Sequence, residues 1–158
     1  MSEPAQLEST IEIAAPPAQV WALVTDLGRM REWSPMTRHT WVRGGQVRQG
    51  ARFVNHNGSG WKAWPTTGTV VRFTPHSDFA FRITENRTTW SYTLVPTADG
   101  GTSVTSRRET TEGISGLSTT LTRWVLGGVP RFTDELQLGM HETLERIKKA
   151  AETSAAAA

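Results

Sequence analysis

The side chains able to do chemistry in this chain are few and scattered. Four histidines stand at 39, 56, 76 and 141, a single tyrosine stands at 92, and there is no cysteine. An imidazole titrates near neutrality, so one placed against a substrate can act as general base or acid. A phenol hydroxyl can donate a hydrogen bond or a proton. His39 and Tyr92 are therefore the two weak catalytic candidates. The plain alternative for His39 is a hydrogen bond to a backbone carbonyl on a strand face. No G-x-S-x-G elbow is present to raise a nucleophilic serine, and no H-E-x-x-H to hold zinc. The glycine-rich pieces do not follow a strand and open a helix, so neither a phosphate loop nor a dinucleotide fingerprint is present. Without cysteine there is no disulfide, thiolate metal site or thiol nucleophile. No metal and no organic cofactor is expected.

Aromatic side chains are the abundant resource: seven Trp and five Phe in 158 residues. Alternation along extended segments assigns them to faces. Phe79, Phe81 and Ile83 share one face, as do Trp90, Tyr92 and Leu94, and Phe53, Asn55 and Asn57. His39 goes with Trp41, Val71 with Phe73, and Val104 with Ser106 and Arg108. Placed inward, these sets make an apolar surface with a few polar anchors, which is the composition of small-molecule pockets. The ligand-binding candidates on the strands are Trp41, Phe53, Asn55, Trp64, Phe73, Phe79, Phe81, Trp90, Tyr92, Ser106 and Arg108. Trp124, Phe132, Leu136 and Met140 join them from the helical C-terminal region. The same aromatics could equally fill a core. Trp61 and Trp64 either line a pocket mouth or brace a hairpin. Arg108, if inward, needs a partner: a ligand carboxylate or phosphate, or Glu109 or Glu112, unless a bulge turns it to solvent.

The elements that must position these residues can be read from periodicity. Leu7 to Ala15 alternates as a strand and stops at Pro16-Pro17. Val20, Leu23, Val24 and Leu27 recur at helical spacing, and Gly28 marks the end of that helix. A short second turn, RMREW, runs to Ser34-Pro35. Six strands follow: RHTWV, ARFVNHN, TGTVVRF, DFAFRI, TTWSYTLV and TSVTSRRE, separated by glycine, proline and asparagine signals. Asp99-Gly100-Gly101 is the strongest hairpin signal, and links this short imply antiparallel pairing. After Gly116 the helical period returns, with Leu117, Leu121, Trp124 and Val125 on one face before Gly127-Gly128 and Pro130. A longer helix from about Arg131 to Ala151 carries the stripe Phe132, Leu136, Met140, Leu144 and Ile147.

Charge is small in sum and uneven in place. The net is +2, yet residues 29–108 hold twelve Lys and Arg against four acids. Arginines at alternate strand positions keep a sheet soluble, and no basic run or nucleic-acid motif accompanies them, so nucleic acid is not an expected partner. No apolar run approaches the ~20 residues of a membrane span, so no stable membrane insertion is expected. The polar, acidic N-terminus lacks the features of a secretory signal, and the chain reads as cytoplasmic. One domain over residues 1–158, ordered over about 7–151, is expected from this length.

Several stretches, taken in order, resemble a known family. They are I-x-I-A-A-P-P-A-Q-V-W-A-L-V-T-D-L at the start, E-W-S-P at 32–35, G-A-R-F at 50–53 and W-P-T-T-G-T-V at 64–70. W-S-Y-T-L-V-P at 90–96, G-G-T-S-V-T at 100–105 and the last amphipathic helix complete the set. Together they resemble the START/birch-pollen-allergen superfamily, also called SRPBCC, and within it the bacterial polyketide cyclase/dehydrase-like branch. The resemblance implies an α+β helix-grip fold: a curved seven-stranded antiparallel sheet around a long C-terminal helix, with two short helices after the first strand. It implies a cavity between sheet and helix holding a small hydrophobic molecule, lipid-like or polyketide-like and aromatic. The alternatives are a polyketide cyclase/dehydrase-type enzyme using the same pocket, or a protein-interaction or toxin-like module. The chain would be a monomer or homodimer.

Overall fold

The computed structural model describes residues 6–85, 87–110 and 129–157, with side chains described from Leu7 and, in the last helix, for residues 136–154. Strand β1 (Gln6–Ile13) ends where Pro16 stays extended and Pro17 opens helix α1 (Pro17–Val24). A proline at the first helical position loses no hydrogen bond. Helix α1 buries Val20, Trp21, Leu23 and Val24. It stops before the expected Gly28, at Thr25, whose hydroxyl donates to the Trp21 carbonyl at 2.7 Å. Leu27–Arg29 then tightens into a single 3-10 turn, Gly28 inside it, before the short helix α2 (Met30–Trp33).

Six strands follow: β2 (Thr37–Val42), β3 (Arg52–Ser59), β4 (Lys62–Thr74), β5 (Asp78–Ile83), β6 (Thr88–Pro96) and β7 (Thr102–Thr110). All pairings are antiparallel, in the order β1-β7-β6-β5-β4-β3-β2. The β6–β7 hairpin closes where expected, with the Thr97 N–H on the Gly101 carbonyl at 3.0 Å. Five of the six hairpin-rich strands match their expected positions closely, but β4 is longer, reaching back over Trp64 and Pro65 to Lys62. Pro65 pairs with His56 of β3, whereas β5 begins its pairing at Gly68 opposite Ile83. The early part of β4 therefore has one strand neighbour, and the missing proline N–H costs no ladder bond there.

Two irregularities re-aim side chains. The β2–β3 register shifts between Thr37 and His39, and the β4–β5 register between Val70 and Arg72. A bulge inserts one residue and turns the following side chains to the other face. Thr37 and Thr40 therefore point to the concave side, and His39 and Trp41 to the outer face, correcting the inward placement that simple alternation suggests. Trp41 is 56% exposed. In β4 the inward residue is Val70 rather than Val71, with Phe73 half-buried beside it.

Helix α3 (Val129–Ala157) starts two residues earlier than expected, because Pro130 is tolerated in a first turn. Its stripe lies on the sheet: Leu136, Met140, Leu144 and Ile147 are all buried, and Ala151 extends the row. The Phe132 side chain and the run 111–128, with Leu117, Leu121, Trp124 and Val125, lie outside the described residues. This is the helix-grip architecture. The C-terminal half of α3 is fastened to the β1–α1 corner. The Glu152 carboxylate accepts the Ala14 N–H at 2.8 Å and the Lys148 ammonium at 2.6 Å, and Lys148 also donates to the Glu12 carbonyl at 2.9 Å. The Ala14 N–H first, then Lys148, hold the Glu152 carboxyl below its ordinary pKa.

The core gathers Ile13, Leu27, Phe79, Val104, Leu144 and Ile147 with an aromatic chain. Trp21 meets Phe73 edge-on at 5.1 Å, and Phe53 meets Phe81 at 5.4 Å. A smaller cluster of Leu7, Leu136 and Met140 packs on Trp90. Gly68 is required by the Phe53 ring: a Cβ there would lie 2.3 Å from Phe53 Cζ. The ring is itself held against Phe81 and cannot swing clear. Gly68→Ala is expected to lower stability by about 1–3 kcal/mol, the usual cost of overpacking. Urea unfolding checks this; an unchanged midpoint would mean the ring relocates freely.

Candidate functional site

Among the described residues, α3 covers only part of the sheet's concave face. Between α3, the loop after α2 and strands β3 to β7 lies a cleft of about 570 Å³. Its walls carry Phe81, Trp90, Tyr92 and Trp64, with Met30, Ile83, Leu136 and Met140 between them. Neutral polar groups in the walls include Thr37, Asn55, Asn57, Thr66, Ser106 and Thr143. Arg38, Leu138 and Glu142 also line it.

Hydrogen bonds fix the orientation of several of these groups. The Asn57 side-chain nitrogen donates to the Trp64 carbonyl at 3.3 Å and to Thr66 Oγ1 at 2.9 Å. A carbonyl can only accept, so the nitrogen is set and the amide oxygen remains as an acceptor. The Thr40 hydroxyl donates to Asn55 Oδ1 at 2.7 Å, which leaves the Asn55 nitrogen as a donor. Among the described residues no partner reaches the Tyr92 hydroxyl or the Ser106 hydroxyl. Tyr92 and Ser106 face each other across the β6–β7 register. Tyr92 is half-buried by area, but the surface it keeps opens into the cleft. Burial pushes its phenol up to about 12, so it stays protonated and acts as a donor.

The helix wall has its own signature. Gly139 is the one glycine in the 29 residues of α3 and lines the cleft. A Cβ there would meet Pro35 Cγ at an ordinary 3.5 Å, so packing alone does not demand glycine. The Thr143 hydroxyl donates back to the Gly139 carbonyl at 2.7 Å. At the rim Arg38 Nη2 donates to the Gly60 carbonyl at 2.7 Å.

The cleft brings together eight of the sequence-derived ligand candidates: Asn55, Trp64, Phe81, Trp90, Tyr92, Ser106, Leu136 and Met140. Phe53, Phe73 and Phe79 belong to the core instead. Arg108 points inward and is 2% exposed. Its guanidinium carbon lies 5.8 Å from the Trp90 ring centre, so it sits behind that indole and is not part of the cleft lining. Trp41 and His39 lie against each other on the outer face because of the β2 bulge, with ring centres 4.2 Å apart and planes tilted by 57°. His39 thus loses its place as a base against the cleft, and no histidine lines it among the described residues. Trp124 and the Phe132 side chain lie outside the described residues. Asn57 was legible as the next inward residue after Asn55. Gly139 and Thr143 lie three and seven residues beyond Leu136, on the helical period, but small or polar residues give no apolar signal. Pro35, Met36 and Arg38 sit in a loop and a bulge, where no periodicity exists.

Apart from Arg38 and Lys62, several of the basic residues of the middle of the chain sit elsewhere. Arg72 pairs with Asp78 at 2.7 Å and Arg107 with Glu8 at 2.8 Å on the outer surface. Arg43, Arg48 and Arg52 line a separate concavity of about 450 Å³ in the β2–β3 connection, without aromatic walls. Among the described residues no three His, Asp or Glu side chains converge as a metal site would require.

Comparison with known proteins agrees with this architecture. No curated protein sequence matches the chain. Among solved structures, a polyketide-cyclase-like protein of Corynebacterium glutamicum is 28% identical, with 98% of this chain and 95% of that one covered and a TM-score of 0.65. The di-domain ARO/CYC protein StfQ of the steffimycin biosynthetic pathway has a TM-score of 0.76 at 15% identity; 96% of this chain overlies 52% of that one. A protein of Chromobacterium violaceum shares the fold at 17% identity, with coverage of 94% and 99% and a TM-score of 0.69. The family model described as polyketide cyclase / dehydrase and lipid transport matches residues 4–152, and the chain belongs to that family.

Proposed function

We propose that the chain binds a small, largely apolar and oxygen-bearing molecule in the cleft beside α3, such as a polyketide-like aromatic or a lipid-like compound. One observation carries the reading: an aromatic-walled cleft holds neutral hydrogen-bonding groups that the described residues leave without partners. These are the Tyr92 hydroxyl, the Ser106 hydroxyl, the Asn55 nitrogen and the Asn57 oxygen. These groups face the cleft, and a ligand with carbonyl or hydroxyl oxygens would pair them in place of solvent. Burial of its apolar body would supply the driving force, at about 25 cal/mol per Å².

Turnover is the second reading, and Tyr92 is the reason to keep it. A protonated phenol aimed at a ligand carbonyl would stabilise charge developing on that oxygen during a ring closure. A base is less evident. Glu142 is the carboxylate among the cleft-lining residues, and His39 faces away. Binding therefore ranks above catalysis, and the cyclase chemistry of the family's name remains the alternative.

Displacement of an environment-sensitive apolar dye tests the reading. Polycyclic hydroxyquinones are expected to displace the dye. Tyr92→Phe is expected to weaken them about fivefold, the worth of one neutral hydrogen bond of about 1 kcal/mol. A wild-type protein that binds neither dye nor competitor would refute the proposal. Gly139→Phe should abolish dye binding while urea stability holds, since the ring would enter the cleft and not the core. Retained affinity in that variant would move the ligand elsewhere.

Tyr92 is the chain's sole tyrosine, so tyrosinate absorbance reads it alone. Ionisation is expected at about 12 in the folded protein, against an ordinary 10.0. The folded state holds this proton more tightly than the unfolded chain does. Stability from this group is complete below pH 10 and falls as pH climbs to 12, by about 2–3 kcal/mol. A transition near 10 in folded protein would show that the hydroxyl is open to bulk water.

A further inference from the structure

Two large apolar side chains stand in solvent beside the cleft, one at a turn of the sheet and one on the helix. Trp61 is 89% exposed at the β3–β4 turn, next to Gly60, which lines the cleft. Leu138 is 59% exposed on α3 and lines the cleft itself. Cations accompany them. The Lys62 ammonium lies 5.8 Å from the Trp61 ring, and the Arg38 guanidinium is fixed to the Gly60 carbonyl at 2.7 Å. One acid, Glu142, also lines the cleft.

From this rim we infer that the cleft mouth docks reversibly on the surface of an anionic lipid bilayer. The inference goes beyond ligand binding and stands on the rim's exposure, not on what fills the cleft. A folded chain gains nothing by holding an indole almost wholly in water at the tip of a turn. Tryptophan is, however, the side chain that settles best at a water–hydrocarbon boundary, with its ring in the apolar layer and its N–H among headgroups. Lysine and arginine beside it would meet anionic headgroups, whose surface potential attracts nearby cations. The size of the patch also favours a membrane over a protein. Two side chains fall far short of the roughly 800 Å² per partner of a standard protein interface, while shallow, reversible contact with a bilayer needs only a few anchors. No helix among the described residues is long and apolar enough to cross a membrane, so the contact would be superficial. The placement has a consequence for traffic: an apolar molecule could pass between bilayer and cleft without crossing bulk water.

The test is co-sedimentation of the full chain with vesicles of phosphatidylcholine alone or with phosphatidylglycerol added. Wild type is expected to pellet with the anionic vesicles and to be released by salt. Trp61→Ser and Leu138→Ser should each pellet less, and Lys62→Gln about fivefold less. Trp41→Ser, on the outer sheet face, should match wild type. Because Trp61 is so exposed, its replacement should leave the urea midpoint unchanged. Dye binding without vesicles, which Trp61→Ser should retain, reports separately on the cleft. Wild type remaining in the supernatant with anionic vesicles would overturn the inference, as would equal pelleting of Trp61→Ser. Self-association in sedimentation velocity, lost in Trp61→Ser, would assign the rim to a second copy of the chain and overturn it equally.

Discussion

A seven-stranded curved sheet has one concave face, and among the described residues α3 is the long helix that covers it. Everything distinctive in this molecule depends on how that cover is placed. Helix α3 meets the constraint unevenly. Its C-terminal half sinks Leu144, Ile147 and Ala151 into the main core and is tied down by Glu152 and Lys148. Nearer its N-terminus, Leu136 and Met140 rest on a separate, smaller cluster with Leu7 and Trp90. The uncovered part of the sheet between these supports is the cleft. Its position therefore follows from where the helix is fastened.

The same constraint decides the chemistry available. Strand residues facing the cleft do not pack against α3, and several of their polar atoms are left without partners among the described residues. Thr40 and Thr66 orient two amides, and the paired strands β6 and β7 bring Tyr92 and Ser106 side by side. The result is a set of oriented, uncharged donors and acceptors among aromatic rings, with Arg38 and Glu142 also in the lining. Arg108, which carries the nearest buried charge on β7, is set behind Trp90. Such a surface discriminates by shape and by the spacing of oxygen atoms, because a buried group that goes unmatched costs the binding partner its desolvation.

Much of this was readable from residue order, and the failures have physical causes. The α3 stripe and the inward sets of β3, β5, β6 and β7 follow undisturbed periodicities, so eight cleft residues were legible. Trp41 and His39 were misassigned because a bulge in β2 shifts the period by one, and nothing in T-R-H-T-W-V marks it. The early part of β4 was missed because Pro65 usually argues against a strand, and its tolerance depends on β5 being short. The rim residues Pro35 and Met36 lie in a loop after α2, and the pairing of β1 with β7 joins distant segments. Neither leaves a local pattern. Phe53, Phe73 and Phe79 share the faces of true cleft residues, and only depth under the helix separates lining from core.

The β1–β7 ladder has an implication for how the molecule is made. Thr10 and Thr105 bond through their hydroxyls across 95 residues of sequence. On the ribosome, β1 emerges early and has no strand to join until β7 appears, with α3 later still. Loop closure over that span is slow, and contacts of this kind set the folding rate. Through most of synthesis the apolar inward faces of Leu7 and Ile13 stand uncovered and open to wrong pairing. Among the described elements, β7 and α3 are thus the ones that seal β1, and a chain lacking them would be left with a strand edge and an apolar face suited to aggregation.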